Sequence, residues 1–154
     1  MKKLAIVISS GFGTGFFKPA PGTWGTAMAF LISMAIWLSP LPTSPYLAIA
    51  LAGLFYLLGL WSINVLSEDW EDDDQRIVVD EMIGFWITII FIPISWTSLV
   101  LAFVLFRFFD ILKPLRIRKF DNIKTNWAVL VDDVVAGVYA NITLRIILIL
   151  LAWQ

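Results

Sequence analysis

Long apolar segments, separated by prolines and short polar stretches, dominate the chain from residue 24 onward. Their periodicity and the positions of the prolines predict five helices, at 24–39, 46–66, 77–92, 95–112 and 128–152. Such helices reach about 24 to 37 Å, against about 30 Å for the hydrocarbon core of a bilayer, so the shorter ones need not cross it completely. The pattern predicts an all-α, polytopic membrane helical bundle that forms a single domain over 1–154.

Charged residues concentrate at the ends of these segments, and their distribution indicates how the chain crosses the membrane. If helices one and two and helices three and four form hairpins, one face of the membrane receives 1–23, 67–82 and 107–133. These stretches contain ten of the eleven Lys and Arg residues and all twelve acids, with Arg145 as the exception. Because basic residues favour the cytoplasmic side, this face is predicted to be cytoplasmic. A single long span over 83–106 is the alternative, but it would separate the carboxylates across the membrane.

The composition excludes several kinds of chemistry. With 60% hydrophobic and 15% charged residues, the chain is too apolar for a soluble domain of this length. It contains neither Cys nor His, which excludes disulfides, thiolate zinc sites, cysteine nucleophiles and imidazole bases. The net charge of −1 gives no indication of nucleic-acid binding. Any reaction must therefore use carboxylates, Lys, Arg, hydroxyl groups and a hard metal ion.

Five carboxylates lie at predicted helix ends beside large apolar side chains. They are Asp80, Glu81, Asp110, Asp132 and Asp133. Charged groups at such positions are costly unless they are paired or bind a cation, so a functional role is the first interpretation. Simpler explanations are that Asp110 forms a salt bridge at a helix end, and that Asp132 or Asp133 interacts favourably with the dipole of its helix. An all-oxygen donor set suits magnesium better than zinc or copper.

Basic and glycine-rich elements accompany the carboxylates. Arg107 and Lys113 recur at a spacing of three around a carboxylate, which places two cations beside it on one helical face. The stretch 11–26 combines glycines, Lys18 and Thr23 before a helix, and the amide groups of a helix N-terminus bind phosphate. An interfacial loop that ends with Thr23 as the helix cap is the simpler explanation. Together the carboxylates, the cations and this loop indicate phosphoryl chemistry on a lipid.

Four segments of the chain resemble, in order and spacing, the motifs of the phosphatidylglycerophosphatase A family. They are PAPGTWGT at 19–26, VDEMIG at 79–84, FRFFDILKP at 106–114 and DDVVAG at 132–137. The resemblance covers nearly the whole chain. Two departures are Arg116, where the family usually has a second proline, and 125–128, where the family has a glycine-rich approach to the paired aspartates. Both departures concern substrate preference and loop geometry more than metal binding.

The resemblance implies a magnesium-dependent phosphatase that hydrolyses the terminal phosphomonoester of phosphatidylglycerophosphate to phosphatidylglycerol. It also implies a multi-pass protein of the bacterial cytoplasmic (inner) membrane, whose active site faces the cytoplasm and meets its substrate in the bilayer. The cation would stabilise charge on the phosphoryl group and either activate water or orient an aspartate nucleophile. The sequence does not choose between these two routes.

Roles for individual side chains follow from the resemblance and the residue chemistry together. The expected Mg²⁺ ligands are Glu81, Asp110, Asp132 and Asp133, with Asp80 assisting. The groups expected to bind the phosphate are Lys18, Thr23, Arg107 and Lys113. Arginine would bind the phosphate with its bidentate fork and lysine as a point charge.

A non-catalytic membrane protein, such as a divalent-cation carrier or a scaffold, is the alternative to an enzyme. A carrier would distribute its carboxylates through the depth of the bilayer, whereas these carboxylates lie at one end and so favour an interfacial enzyme. The sequence leaves open the oligomeric state and a related lipid phosphomonoester, such as phosphatidic acid, as the substrate.

The tryptophans and one arginine lie outside this chemistry. Trp24, Trp70 and Trp127 are expected to anchor the chain at the membrane interface. Arg145 is expected either to reach the outer headgroups or to pair within the bundle near Asn141.

Overall fold

The computed structural model of the chain describes residues 1–40, 44–70, 74–112 and 126–152, and for 126–129 and 152 it describes the backbone alone. Six α-helices and one short 3-10 turn make up these ranges, and the described residues contain no strand. The helices are α1 (Lys2–Ser9), α2 (Pro21–Leu38), α3 (Leu47–Leu66), α4 (Val79–Thr88), α5 (Trp96–Leu112) and α6 (Asn126–Ala152). The 3-10 turn, Thr14–Phe16, lies between α1 and α2. The all-α prediction is therefore confirmed.

Most predicted helices agree with the observed bounds to within three residues, and α1 and α4 are the exceptions. The sequence predicted no helix over Lys2–Ser9, where α1 packs its small and apolar face against α3. Helix α4 was expected over 77–92 but covers only Val79–Thr88. The apolar run continues through Ile92 without remaining helical, so hydrophobicity alone could not locate the end of this helix.

Helix α4 is the central helix of the bundle. Seven of its ten residues are buried, and it packs against α2, α3, α5 and α6. A helix that is apolar on all sides needs such complete surroundings. Its largest side chains, Phe85 and Trp86, are fully buried, and the Trp86 indole N–H donates to the Ser33 hydroxyl of α2 at 3.2 Å. The core of the molecule is therefore built around the helix that carries Asp80 and Glu81.

Three helices in the described part of the chain are long and apolar enough to cross a membrane. They are Pro21–Leu38, Leu47–Leu66 and the segment Leu130–Leu151 of α6. Helix α4, by contrast, is about 15 Å long, roughly half of a bilayer core. The polytopic membrane architecture is therefore supported, but α4 cannot cross a bilayer alone.

Helices α4 and α5 form an antiparallel hairpin. The turn between them contains Pro93, and the hairpin brings the start of α4 beside the end of α5, where Arg107 Nη1 lies 3.9 Å from Glu81 Oε1. This contact excludes a single straight span over 83–106. It also places the carboxylates of α4 and α5 at the same end of the bundle, as the hairpin interpretation required.

Candidate active site

Four helices contribute to a charged site at one end of the bundle. The first turns of α2 and α4, the last turns of α5 and the second turn of α6 meet there. Helix α6 runs parallel to α4, because Asp133 lies near Glu81 and Gly137 lies farther along against Gly84. Helix α5 returns antiparallel and adds its C-terminal residues. Each functional side chain therefore comes from a helix that is fixed by packing.

The centre of the site is a group of three carboxylates, Asp80, Glu81 and Asp133, defined here as the acidic triad. One carboxylate oxygen of each lies within 4.8 Å of the others. Asp80 Oδ1 accepts a hydrogen bond of 3.1 Å from the Glu81 backbone N–H, and Asp133 is only 5% exposed. Three anionic groups this close repel one another strongly in a medium of low dielectric constant. The arrangement is therefore suited to a bound cation.

Arg107 lies beside the acidic triad and supplies the positive charge of the described site. Its Nη1 atom lies 2.5 Å from Asp110 Oδ2, 3.9 Å from Glu81 Oε1 and 3.5 Å from the Thr26 hydroxyl. The pairing with Asp110 is the i, i+3 contact expected from their spacing on α5. The buried Nε atom has no hydrogen-bond partner among the described residues. A donor of the guanidinium group is therefore available for a bound anion.

The first turns of α2 contact this site through residues that the sequence analysis did not assign. A Cβ atom built on Gly22 would lie 1.9 Å from Glu81 Oε1 and 3.2 Å from Arg107 Nη1. Thr26, one turn later, is fully buried and donates its hydroxyl hydrogen to the Gly22 carbonyl at 2.9 Å. Small residues recur on this face at spacings of three and four, and they continue through Ala29 and Ser33. That spacing was the available signal for close helix packing.

Replacing Gly22 with alanine is expected to lower the catalytic rate of this site about a hundredfold while the protein stays folded. The new methyl group overlaps Glu81 Oε1, and the Glu81 side chain is flexible enough to swing away. A displacement of about 1 Å in a catalytic constellation costs about this much in rate. The measurement compares initial rates and melting temperatures of wild type and Gly22→Ala.

Gly53→Ala is the matched control for this substitution. A Cβ atom there meets nothing within 4 Å on exposed α3 surface, so activity is expected to equal that of wild type. A Gly22→Ala protein as active as Gly53→Ala would show that Gly22 does not limit the position of Glu81.

The remaining acids of the expected ligand set occupy different surroundings. Asp110 is paired with Arg107, and Asp132 is buried at 7% exposure on α6, next to the acidic triad in sequence but outside it. Because α6 begins at Asn126, Asp132 and Asp133 are its seventh and eighth residues. The proposal that one of them stabilises the first turn of its helix is therefore wrong. Asp110 and Asp132 stay predictions as metal ligands.

The expected phosphate-binding residues are only partly brought together. Helix α2 begins at Pro21, preceded by Ala20 in a left-handed conformation (φ 60°), so Thr23 is the third helical residue and not the cap. Proline suits the first helical position because that residue needs no N–H donor. Thr23 is half-buried in this first turn, whereas Lys18 is exposed in the preceding loop. Lys113 lies outside the described residues, as do Arg116 and residue 125.

The tryptophans expected at the membrane interface differ in their exposure. Trp24 is 46% exposed, whereas Trp70 is buried beneath Arg76, whose guanidinium carbon lies 4.2 Å from the ring centre. Arg76 also binds Asp74, and this hydrogen bond holds the pKa of the Asp74 carboxyl below its usual range. Trp70 therefore fixes the loop, which corrects its expected role. The Trp127 side chain and 71–73 lie outside what the structure describes.

Comparison with known proteins finds relatives that match most of the chain. A family model described as Phosphatidylglycerophosphatase A matches residues 7–148. A Bacteroides thetaiotaomicron protein provisionally named a phosphatidylinositol-3-phosphatase is 42% identical over 93% of this chain and 92% of its own. Proteins named phosphatidylglycerophosphatase A from Haemophilus influenzae and Escherichia coli are 38% and 34% identical, over 92% and 86% of this chain and 90% and 76% of their own. No solved structure matches.

Proposed function

The chain belongs to the phosphatidylglycerophosphatase A family, and we propose that it hydrolyses the terminal phosphomonoester of phosphatidylglycerophosphate, giving phosphatidylglycerol and phosphate in phospholipid biosynthesis. The observation that carries the proposal is the meeting of the acidic triad with Arg107 at one end of a bundle of membrane-length helices. A lipid phosphate can enter such a site from the interface while its acyl chains stay in the bilayer. The proposed active site therefore suits a lipid substrate whose acyl chains remain in the membrane during the reaction.

The residues of the acidic triad fit a magnesium ion. Their donors are all carboxylate oxygens, and Glu81 Oε2 is buried without a hydrogen-bond partner among the described residues. A buried, unpartnered carboxylate oxygen is costly unless a cation contacts it. Asp80, Glu81 and Asp133 would hold the ion, and Asp110 and Asp132 are further proposed ligands. When bound, Mg²⁺ supplies charge stabilisation to the phosphoryl oxygens and favours ionisation of water.

The cationic and amide groups of the chain bind and orient the phosphate. Arg107 offers its unpartnered Nε–H beside the acidic triad, and a guanidinium group binds two phosphate oxygens at once. The Gly22 backbone N–H adds a donor in the first turn of α2, at the positive end of a helix dipole. The Thr23 backbone N–H already donates to the Ala20 carbonyl at 3.0 Å, so Thr23 is proposed to contribute its hydroxyl group. Lys18 and Lys113 are proposed to attract the phosphate from the surrounding interface.

The reaction balances without any further reactant. The phosphorus–oxygen bond to the glycerol oxygen breaks, water supplies the new oxygen of the phosphate, and the glycerol oxygen leaves with a proton. Direct attack by water and attack by an aspartate followed by hydrolysis give the same products. The carboxylates not bound to the cation can accept and return the proton in either route.

The site is proposed to face the cytoplasm from the bacterial inner membrane. Ten of the eleven Lys and Arg residues lie in 1–23, 67–82 and 107–133, the sequence stretches that also contain all the acids. Basic residues near membrane helices stay preferentially on the cytoplasmic side. The exposed Trp24, beside the start of α2, lies where an interfacial aromatic ring is expected.

A second candidate substrate is the 3-phosphate of a phosphatidylinositol. The name of the Bacteroides relative, at 42% identity, favours this possibility. Both substrates carry a phosphomonoester next to a hydroxylated headgroup on a diacyl lipid. The acidic triad and Arg107 would contact the same phosphoryl group in each, so the headgroup decides between them.

The proposed function is tested by phosphate release from three lipids in detergent micelles. Purified protein is given phosphatidylglycerophosphate, phosphatidylinositol 3-phosphate or phosphatidic acid, with magnesium or with EDTA. The expected result is magnesium-dependent release with the highest kcat/KM for phosphatidylglycerophosphate. Faster release from the inositol lipid would move the second candidate to first place, and no release from any lipid with any divalent cation would support a carrier or scaffold.

A further inference from the structure

The buried end of α4 raises the question of which groups bind its last carbonyls. The helix stops at Thr88, and the following turn lies at the apolar end of the bundle, away from the charged site. The last carbonyls of any helix have no partner within the helix. Without water, each unsatisfied carbonyl costs several kcal/mol, so non-helical backbone at membrane depth requires partners from the protein.

Backbone N–H groups of the following turn bind the Trp86 and Ile87 carbonyls, and two side chains of α6 bind the carbonyls of Thr88 and Ile90. The Asn141 amide nitrogen lies 2.8 Å from the Thr88 carbonyl oxygen, 3.0 Å from that of Ile90 and 3.4 Å from that of Ile87. Arg145 Nη2 donates to the Ile90 carbonyl at 2.8 Å. Arg145 Nε donates to Asn141 Oδ1, also at 2.8 Å, and so orients the amide with its hydrogens toward α4.

This arrangement accounts for the isolated charge of Arg145. It is the one Lys or Arg residue that lies outside the stretches 1–23, 67–82 and 107–133. A cation at the C-terminal end of α4 interacts favourably with the negative end of the helix dipole. Pairing with backbone carbonyls also lowers the cost of a charge in the membrane. Of the two roles expected for Arg145, the structure therefore shows pairing within the bundle.

At the middle of the contact between α4 and α6, the two helices meet through glycines. Gly84 and Gly137 face each other there, and a Cβ atom on Gly137 would lie 2.5 Å from the Gly84 carbonyl oxygen. Glycines allow two helices to approach closely, but they offer no side chains that interlock along the helix axis. The Thr88 hydroxyl of α4 makes a long hydrogen bond of 3.4 Å to the Gly137 carbonyl at this crossing, so the axial position of α4 on α6 also depends on contacts farther along α6.

We propose that Asn141, oriented by Arg145, is a positioning residue that fixes how far along α6 the helix α4 sits, and thereby sets the separation of Glu81 and Asp133. Thr88 follows Glu81 by seven residues, about two helical turns. Because α4 is short and regular, a displacement of Thr88 along the helix axis displaces Glu81 by the same distance. The inference rests on the metal site of the proposed function, and it depends on the proposed substrate only for its activity measurement.

The test uses variants of the full-length protein that remove the donors while preserving volume. Asn141→Leu removes the amide, Arg145→Met removes the guanidinium group, and Arg145→Lys keeps the charge on a single donor nitrogen. Ile142→Leu, a change at an exposed neighbour on α6, is the control. Binding of Mn²⁺ is measured by titration of its electron paramagnetic resonance signal, beside melting temperature, kcat and KM.

Asn141→Leu is expected to bind Mn²⁺ about tenfold more weakly than wild type. This is the low end of the loss seen when a group hydrogen-bonded to a metal ligand is removed, because Asn141 acts on the ligands only through the backbone of α4. Its kcat is expected to fall while KM stays close to that of wild type. Arg145→Met is expected to show a smaller loss that Arg145→Lys largely restores. Ile142→Leu is expected to match wild type in every measurement.

Unchanged Mn²⁺ affinity in folded Asn141→Leu would overturn the inference. If that variant does not fold, Arg145→Met carries the test, and unchanged affinity there overturns it equally. Absence of Mn²⁺ binding by wild type would also overturn it, because there would be no metal site to position. Failure of the proposed function has a different signature, in which wild type binds Mn²⁺ but releases no phosphate from phosphatidylglycerophosphate.

Discussion

Replacing Asp133 with asparagine is expected to lower magnesium-dependent phosphate release about a thousandfold. The change preserves the shape of the side chain but removes one charge from the acidic triad. A catalytic metal stabilises transition-state charge by several kcal/mol, and each loss of about 1.4 kcal/mol is a tenfold loss in rate. The measurement is kcat/KM for phosphatidylglycerophosphate across a magnesium titration.

The same substitution is expected not to lower stability in EDTA. Asp133 is buried beside Asp80 and Glu81, so a neutral amide relieves repulsion that the metal-free protein must bear. The melting temperature of Asp133→Asn in EDTA is therefore expected to equal or exceed that of wild type. If activity falls while the melting temperature in EDTA does not, the Asp133 carboxylate serves the activity of the protein and not its stability.

Two further aspartate-to-asparagine variants make this prediction specific. Asp69→Asn changes an exposed acid paired with Lys2 at 2.9 Å, outside the acidic triad, and is expected to leave the rate unchanged. Asp132→Asn is expected to cost less than Asp133→Asn, because Asp132 lies outside the group of three. A folded Asp133→Asn protein that keeps more than about a tenth of the wild-type rate would contradict the assignment of the acidic triad as the metal site.

The sequence predicted which end of the bundle carries the site because antiparallel hairpins return their ends to one face. An apolar run with charge only at its ends leaves few other arrangements, and the contact between Glu81 and Arg107 confirms the hairpin of α4 and α5. The spacing of Arg107 and Asp110 on one helix likewise predicted their pairing. These features depend on local periodicity, which a sequence displays directly.

Other features depend on groups that are distant in the sequence. Adjacent residues on a helix point about 100° apart, so whether Asp132 or Asp133 faces Glu81 depends on how α6 is rotated by its packing. The end of α4 could not be located because its partners, Asn141 and Arg145, lie on another helix more than 50 residues later. The role of Gly22 also depends on its neighbour across the site, Glu81.

Close packing of α4 is a condition for the chemistry as well as for the fold. The helix brings Glu81 to Asp133 only because the backbones of α4 and α6 nearly touch at Gly84 and Gly137. A wider separation would need longer side chains to close the acidic triad around one cation. Substitution at this crossing is therefore expected to affect stability and metal binding together, unlike substitution of a carboxylate.

Replacing Gly84 with alanine is expected to lower the melting temperature and to abolish most of the activity. The new Cβ would lie 2.3 Å and 2.6 Å from two ring carbons of Phe106 and 2.7 Å from the Asp133 backbone oxygen. Phe106 is fully buried and the carbonyl belongs to a helix, so neither can move cheaply. Overpacking of this kind costs about 1–3 kcal/mol, and the relief available is separation of α4 from both α5 and α6. Thermal unfolding and Mn²⁺ affinity measure the two consequences.

Gly53→Ala again provides the matched control, because the same change on open α3 surface is expected to be neutral or to stabilise by about 0.5–1 kcal/mol through helix propensity. Shrinking the ring with Phe106→Leu in the Gly84→Ala background should recover part of the stability, since it removes the overlap with the ring. The overlap with the Asp133 carbonyl persists, so Mn²⁺ affinity should stay low. A Gly84→Ala protein with the melting temperature and Mn²⁺ affinity of Gly53→Ala would show that this crossing does not hold the acidic triad together.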